Sequence, residues 1–372
     1  MNSMTINSNT SKIKKKILVV DDSALMRRVM CDIINSDERF QVVEQAFDGQ
    51  AAYELLKKNQ YDGVVLDVNM PKMNGIQFLR ALQKDKIRAR VMMASTDTKD
   101  GATVTMEALD LGAIDFIEKP VNIIYLKSSG FKDKFLDTLQ AVVSSRQTNI
   151  SNIPILTREK QEENTQKLVS IVRKSKPVVG GQKIVALACS TGGPKALQSV
   201  VPRLPAELAA PVLIVQHMPK GFTQSLAERL DSMSKIKVKE AAEGDVLENG
   251  VVYISMGGKH MNVATRGGRA TITYTDEPPR EGVKPCANYM YESLKSSSYA
   301  QIVCVVLTGM GADGTKGIVN LETSKKIHVI AQDEASSTVY GMPKAIAATG
   351  LVNQVVSLDN VAQEIIMNVG VR

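Results

Sequence analysis

The chain has 372 residues, too many for one typical core, so two domains are expected. With 44% hydrophobic and 23% charged residues it has the composition of a soluble globular protein, and no apolar run approaches the roughly 18 residues of a spanning helix. The net charge of +7 permits acidic partners, but the chain has no tryptophan, only 4% aromatics and no interleaved basic–aromatic patch, which weighs against nucleic-acid binding.

The start is polar and then basic (Ser11-Lys12-Ile13-Lys14-Lys15-Lys16) and lacks the apolar core of a signal peptide. The four cysteines, Cys31, Cys189, Cys286 and Cys304, are far apart and form no C-x-x-C pair. Together these features predict a cytoplasmic chain with reduced, mostly buried thiols and no membrane insertion.

From residue 17 to about 143, short apolar strands alternate with amphipathic helices. Strands are expected at 17–20, 42–46, 64–66, 91–94 and 115–117. The first helix is marked by Leu25, Met26, Val29, Met30, Ile33 and Ile34 at helical spacing. The alternation predicts an α/β domain over 14–143 with a five-stranded parallel sheet of flavodoxin-like order. Asp21 and Asp22 end the first strand, Asp67 ends the third, and Lys119-Pro120 follows the fifth. Ligands of an open parallel sheet bind where strand C-termini gather, so three carboxylates and one ammonium meet at one edge. Three acids there make an oxygen-only site for a hard divalent cation such as Mg²⁺, and that points to phosphoryl chemistry.

Polar and charged text follows, from Gln147-Thr148-Asn149 through Lys174-Ser175-Lys176-Pro177 to Gly180-Gly181, and reads as a linker over 144–180. A second α/β pattern fills 181–370, with strands expected at 184–188, 212–216, 251–255, 270–274, 302–307 and 329–332. It predicts a doubly wound domain whose sheet is mostly parallel with an antiparallel part. Ser190 follows its first strand and precedes Thr191-Gly192-Gly193-Pro194 and an apolar helix. A hydroxyl on such a turn is exposed beside helix-start N–H groups that can stabilise an oxyanion. The G-x-S-x-G elbow is absent, since the local text is Ala188-Cys189-Ser190-Thr191-Gly192. The chain has three histidines: His217 ends a strand, His260 lies in a Gly-rich turn and His328 begins a strand. Asp313, within Leu307-Thr308-Gly309-Met310-Gly311-Ala312-Asp313-Gly314, again follows a strand. Ser190, His217 and Asp313 therefore each sit at a strand's C-terminal end, as a nucleophile, base and orienting acid require. Cys189 is an alternative nucleophile, though it points opposite to Ser190.

The first half resembles the receiver domain of response regulators, through Val19-Val20-Asp21-Asp22-Ser23, Leu66-Asp67 with Met70-Pro71 and Asn74-Gly75, Ser95 or Thr96, and Phe116-Ile117-Glu118-Lys119-Pro120. Asn69 stands where close relatives often have Glu. The resemblance implies that Asp67 takes a phosphoryl group, that Asp21, Asp22 and Asp67 hold Mg²⁺, and that Lys119 pairs with a phosphate oxygen while Ser95 reports the modified state. The second half resembles the chemotaxis protein-glutamate methylesterase family, through Ser190-Thr191-Gly192-Gly193, Gln216-His217-Met218-Pro219, Thr308 to Gly314, and Ala331 to Ser336 with Tyr340-Gly341-Met342-Pro343.

That resemblance implies a Ser190–His217–Asp313 triad supported by Thr191 and Met310, with no cofactor for the ester step. It also implies hydrolysis of glutamate methyl esters on methyl-accepting chemoreceptors, deamidation of receptor glutamines, a chemotaxis-type histidine kinase as phosphodonor, and a receiver that covers the esterase until phosphorylated. Three departures stand out. Cys189 replaces a usual Ala, Ser255-Met256 replaces Ala-Pro, and Pro285-Cys286-Ala287-Asn288 replaces Pro-Ser-Val-Asp, the last two on loops expected near substrate. Two rival readings remain open. Gly309 to Gly314 also satisfies G-x-G-x-x-G, with Asp333 about 20 residues on, as in an NAD(P) site. The second domain could also be a non-catalytic output adaptor.

Overall fold

The computed structural model describes residues 13–96, 99–120, 129–146, 169 and 181–372. Most of the stretch expected to be a linker lies outside the described residues.

The first unit runs β1 (Lys15–Val20), α1 (Ala24–Asn35), β2 (Phe40–Ala46), α2 (Gly49–Lys58), β3 (Gly63–Asp67), α3 (Gly75–Lys84), β4 (Val91–Thr96), α4 (Lys99–Asp110), β5 (Asp115–Lys119) and α5 (Ser129–Ser144). The strands form one parallel sheet in the order β2-β1-β3-β4-β5. Polar residues set the helix starts. Asp48 accepts from Ala51 N at 2.7 Å to open α2, and Asn74 and Gln77 form a reciprocal capping box at α3. Apolar residues on both strand faces, such as Val64 and Leu66 on one and Val65 on the other, give the sheet two cores beneath its helices.

The second unit runs β6 (Lys183–Cys189), α6 (Gly193–Val200), β7 (Val212–Gln216), α7 (Phe222–Met233), β8 (Lys237–Glu240), β9 (Val251–Ile254), β10 (His260–Arg266), β11 (Arg269–Thr275), α8 (Ala287–Ser293), β12 (Gln301–Val306), α9 (Thr315–Glu322), β13 (Lys326–Gln332), α10 (Met342–Ala347), β14 (Gln354–Val356) and α11 (Leu358–Val369). Seven strands pair in parallel in the order β14-β13-β12-β6-β7-β9-β8. The antiparallel part is a separate hairpin, β10 with β11, closed by Gly267 and Gly268. The expected strands are all present, but β8, β10 and β14 carry no sequence expectation. β8 and β14 are short edge strands, and β8 reads Lys-Val-Lys-Glu, so neither has the buried apolar run that marks a central strand.

The units share apolar packing. Phe116 of β5 stacks on Phe222 of α7 with centroids 4.5 Å apart and planes at 25°. Both belong to one continuous cluster of buried residues.

Candidate functional site

At the receiver edge, β1 and β3 are neighbours, so Asp21, Asp22 and Asp67 converge. One ligand atom from each lies within 4.8 Å of the others. Lys119 Nζ lies 2.5 Å from Asp21 Oδ2 and 2.6 Å from Asp67 Oδ1. Burial pushes the Asp67 carboxyl above the usual range; Lys119 pulls it down, and the Asp21 charge adds to the rise. A carboxylate held up by desolvation beside a second carboxylate is one that a divalent cation would suit, and the all-oxygen donor set fits Mg²⁺. Ser95 lies at the same edge, one register step beyond the residue paired with Asp67, and its hydroxyl donates to Gly101 O at 3.3 Å.

In the second unit β6 is flanked by β12 and β7, so the loops after three adjacent strands meet at one edge. These loops bring Ser190, Asp313 and His217 together. Ser190 is held through its backbone: its N–H donates to Thr308 O (3.0 Å), and its carbonyl accepts from Gly193 N (2.6 Å) and Gln216 Nε2 (3.1 Å). Gly192 takes φ +77°, a left-handed conformation open to glycine at little cost, and so turns the chain from β6 into α6. A Cβ on Gly309 would stand 2.9 Å from Ser190 Cβ and 2.3 Å from Met342 Sδ, so only glycine lets the β12 loop pass this close.

Asp313 is buried and heavily bonded. His217 Nε2 lies 2.7 Å from Oδ2, which also accepts from Ala287 N (2.6 Å). Oδ1 accepts from Cys286 Sγ (3.0 Å), Asn288 N (3.0 Å) and Gly314 N (2.8 Å). Burial alone would raise this carboxyl, but the bonds from His217, Cys286 and Ala287 hold it at about 2. The imidazole thus uses Nε2 toward the acid, leaving Nδ1 for a nucleophile, the reverse of the usual ring sense. Among the described residues no hydrogen bond joins Ser190 Oγ to His217, and the backbone N–H groups of Thr191 and Met310 have no acceptor.

Cys286, on a loop expected near substrate, is buried with its thiol donating to Asp313. Sequence reasoning missed this donor set: the backbone of Ala287 and Asn288 carries no side-chain signal, and Cys286 was visible only as a departure from Ser. Gln216, singled out in the sequence only within Gln216-His217-Met218-Pro219, anchors the Ser190 loop. Cys189 is fully buried and its thiol pushed far up by burial, so it is no nucleophile at neutral pH. His328 bonds Gln354 (3.0 Å), and His260 is buried against the Tyr289 ring, centroids 4.5 Å apart. Of the two acids in the dinucleotide reading, Asp313 turns inward to its donors, and Asp333 Oδ1 accepts from Ser336 N and Oγ.

Strand β5 touches both units. Thr191 Oγ1, next to Ser190, donates to Asp115 Oδ2 at 2.5 Å. Burial holds the Asp115 carboxyl above the usual range, offset in part by the Thr191 hydroxyl. At the end of α4, Asp110 accepts from Gln198 (2.6 Å) and Arg229 (2.9 Å), both of the second unit.

The family described as response regulator receiver domain matches residues 17–129, and that described as CheB methylesterase matches residues 185–365. A Pyrococcus abyssi protein named protein-glutamate methylesterase/protein-glutamine glutaminase is 44% identical over 355 residues, 95% of this chain and 93% of that protein. A Bacillus subtilis protein of the same name is 38% identical over 353 residues, 94% of this chain and 97% of that protein. The crystal structure of the Thermotoga maritima CheB methylesterase catalytic domain aligns with TM-score 0.49 at 36% identity, covering 52% of this chain and all (100%) of that one.

Proposed function

The chain belongs to the CheB methylesterase family, with a receiver domain ahead of the esterase, and on that premise we propose that it hydrolyses glutamate methyl esters on chemoreceptors under control of phosphorylation at Asp67. Deamidation of receptor glutamines follows the same path, with ammonia in place of methanol. We place the receiver at 14–143, the linker at 144–180 and the esterase at 181–370.

The observation that carries the ester chemistry is the 2.7 Å contact of His217 Nε2 with Asp313 Oδ2, on loops from the two strands that flank the Ser190 strand. Ser190 Oγ attacks the ester carbonyl, and His217 Nδ1 takes its proton as the bond forms. Asp313 stays ionised and stabilises the imidazolium. The unengaged N–H groups of Thr191 and Met310 suit the developing oxyanion. His217 returns the proton to the departing methoxide, methanol leaves, and water, deprotonated by the same nitrogen, releases the glutamate carboxylate and Ser190. The Ser190–His217 contact tightens when substrate arrives, as apo sites commonly require. A non-catalytic adaptor would have no use for an acid held by four donors besides the histidine it faces.

In the receiver, Asp67 is the nucleophile toward a phosphoryl group from a histidine kinase. Mg²⁺ held by Asp21, Asp22 and Asp67 would neutralise charge on that group. Lys119 is placed to pair with a phosphoryl oxygen and Ser95 to donate to another. Thr191 and Phe222 of the esterase are held by Asp115 and Phe116, so the unphosphorylated receiver sits on the catalytic loop. Phosphorylation shifts the closed–open equilibrium toward open.

The test is methanol release from methylated receptor membranes by wild type and Ser190→Ala, each with and without acetyl phosphate and Mg²⁺. The reading expects release only from wild type, faster with the phosphodonor. Undiminished release from Ser190→Ala removes the serine mechanism, and equal rates with and without phosphodonor remove the switch.

A further inference from the structure

Between the two units lies a cavity of about 500 Å³ that the ester chemistry does not use. Its walls on the receiver side are apolar, with Leu79, Leu82 and Ile87 among them; Pro194 and Lys195 of α6 close the esterase side. Among the described residues the charged groups on its lining are Lys86, Arg88, Arg146 and Lys195, with no carboxylate. Arg146 is already paired with Glu334 at 2.7 Å. The other three have no anionic partner among the described residues. Lys195 is half-buried, and desolvation holds its ammonium below the usual lysine range. Burying part of a cation without a counter-charge is costly, and an anion supplied from outside would repay it. The volume is that of a small-molecule site, in which apolar walls take up the body and a few polar groups fix its orientation.

We propose that this cavity binds a small amphiphile, an apolar or aromatic body bearing one anionic head, with the head held by Lys195 and Arg88 and the body against Leu79, Leu82 and Ile87. Its lining comes from both units, so an occupant bridges them. Gly192 and Thr338 also line it, and Gly192 is two residues from Ser190. Resting on the autoinhibitory reading above, occupancy favours the closed arrangement and slows ester hydrolysis without touching the Asp67 site.

The experiment titrates the unphosphorylated full chain with anilinonaphthalene sulfonate, an anionic amphiphile that fluoresces in apolar surroundings, and measures methanol release at the same probe concentrations. One saturable 1:1 site is expected. Lys195→Gln, which removes the charge and keeps a polar end, weakens it about tenfold. Ala89→Trp, on the half-buried lining, fills the chamber and abolishes it. Circular dichroism and thermal unfolding of both variants check that they fold. Non-saturable binding, or the same affinity in wild type and both folded variants, overturns the site. Variant-sensitive binding that leaves methanol release unchanged supports the site and removes its coupling to the esterase. An inhibitory probe whose effect vanishes in Ala89→Trp supports both.

Discussion

Phe116→Ala is the sharpest test of how the receiver holds the esterase. A phenylalanine buries about 150–250 Å² in all, and roughly a quarter of that from each ring faces the other across the boundary. That is about 100 Å² for the pair, or about 2.5 kcal/mol at 25 cal/mol/Å². Relaxation around the alanine returns part of this, leaving a loss of about 2 kcal/mol, or about thirtyfold in the closed-to-open ratio. The hydrogen bonds of Asp110 and Asp115 to the esterase remain, so the domains loosen rather than separate. Methanol release by the unphosphorylated variant should therefore rise toward the rate of phosphorylated wild type and stop there, with little further gain from acetyl phosphate. Unchanged Asp67 phosphorylation by acetyl phosphate, read by mass spectrometry, shows that the receiver still folds. An unphosphorylated rate equal to that of wild type, in a variant that still accepts phosphate, would refute the clasp.

Other expectations follow from the same geometry. Asp67→Ala keeps the basal methanol release and loses all stimulation by acetyl phosphate with Mg²⁺. Cys286→Ala leaves one acceptor lone pair of Asp313 unfilled and should slow hydrolysis by about three- to tenfold, whereas Cys286→Ser, which restores a donor, should recover most of it; equal rates for the two variants would show the thiol contact to be idle. The Asp313 carboxyl is depressed in the folded state, so its contribution to stability is fully present above the unfolded value near 4 and is lost as pH falls through about 2. The urea-unfolding gap between wild type and Asp313→Asn should thus narrow by about 1 kcal/mol between pH 6 and pH 3; a pH-independent gap would contradict the depressed carboxyl.

The sequence made some of this legible and hid the rest for identifiable reasons. Buried parallel strands such as 64–66 and 184–188 announce themselves because both faces are apolar, and a residue at the end of such a strand is thereby assigned to one sheet edge. That is why Asp67, Ser190, His217 and Asp313 could be named before any coordinates. What periodicity cannot convey is strand order, and it was the order β12-β6-β7 that made three loops neighbours. Backbone donors are equally silent: Ala287 and Asn288 hold Asp313 through N–H groups that any residue but proline possesses. The ring sense of His217 was also unreadable, because it depends on the direction from which Asp313 approaches. The contact of Asp115 with Thr191 joins residues 76 positions apart in different units, beyond the reach of any local pattern.

Strand β5 has an implication for how this protein can be rebuilt. Lys119 at one end faces Asp67, the proposed phosphoryl acceptor, and Asp115 and Phe116, four and three residues earlier, grip the esterase. At about 3.3 Å per residue, input and output are only about 10–13 Å apart along one stiff ribbon. The front half is therefore not an interchangeable cassette. A chimera carrying a foreign receiver would retain phosphate chemistry but answer to it only if its fifth strand also supplied an aspartate and an aromatic ring at these two positions.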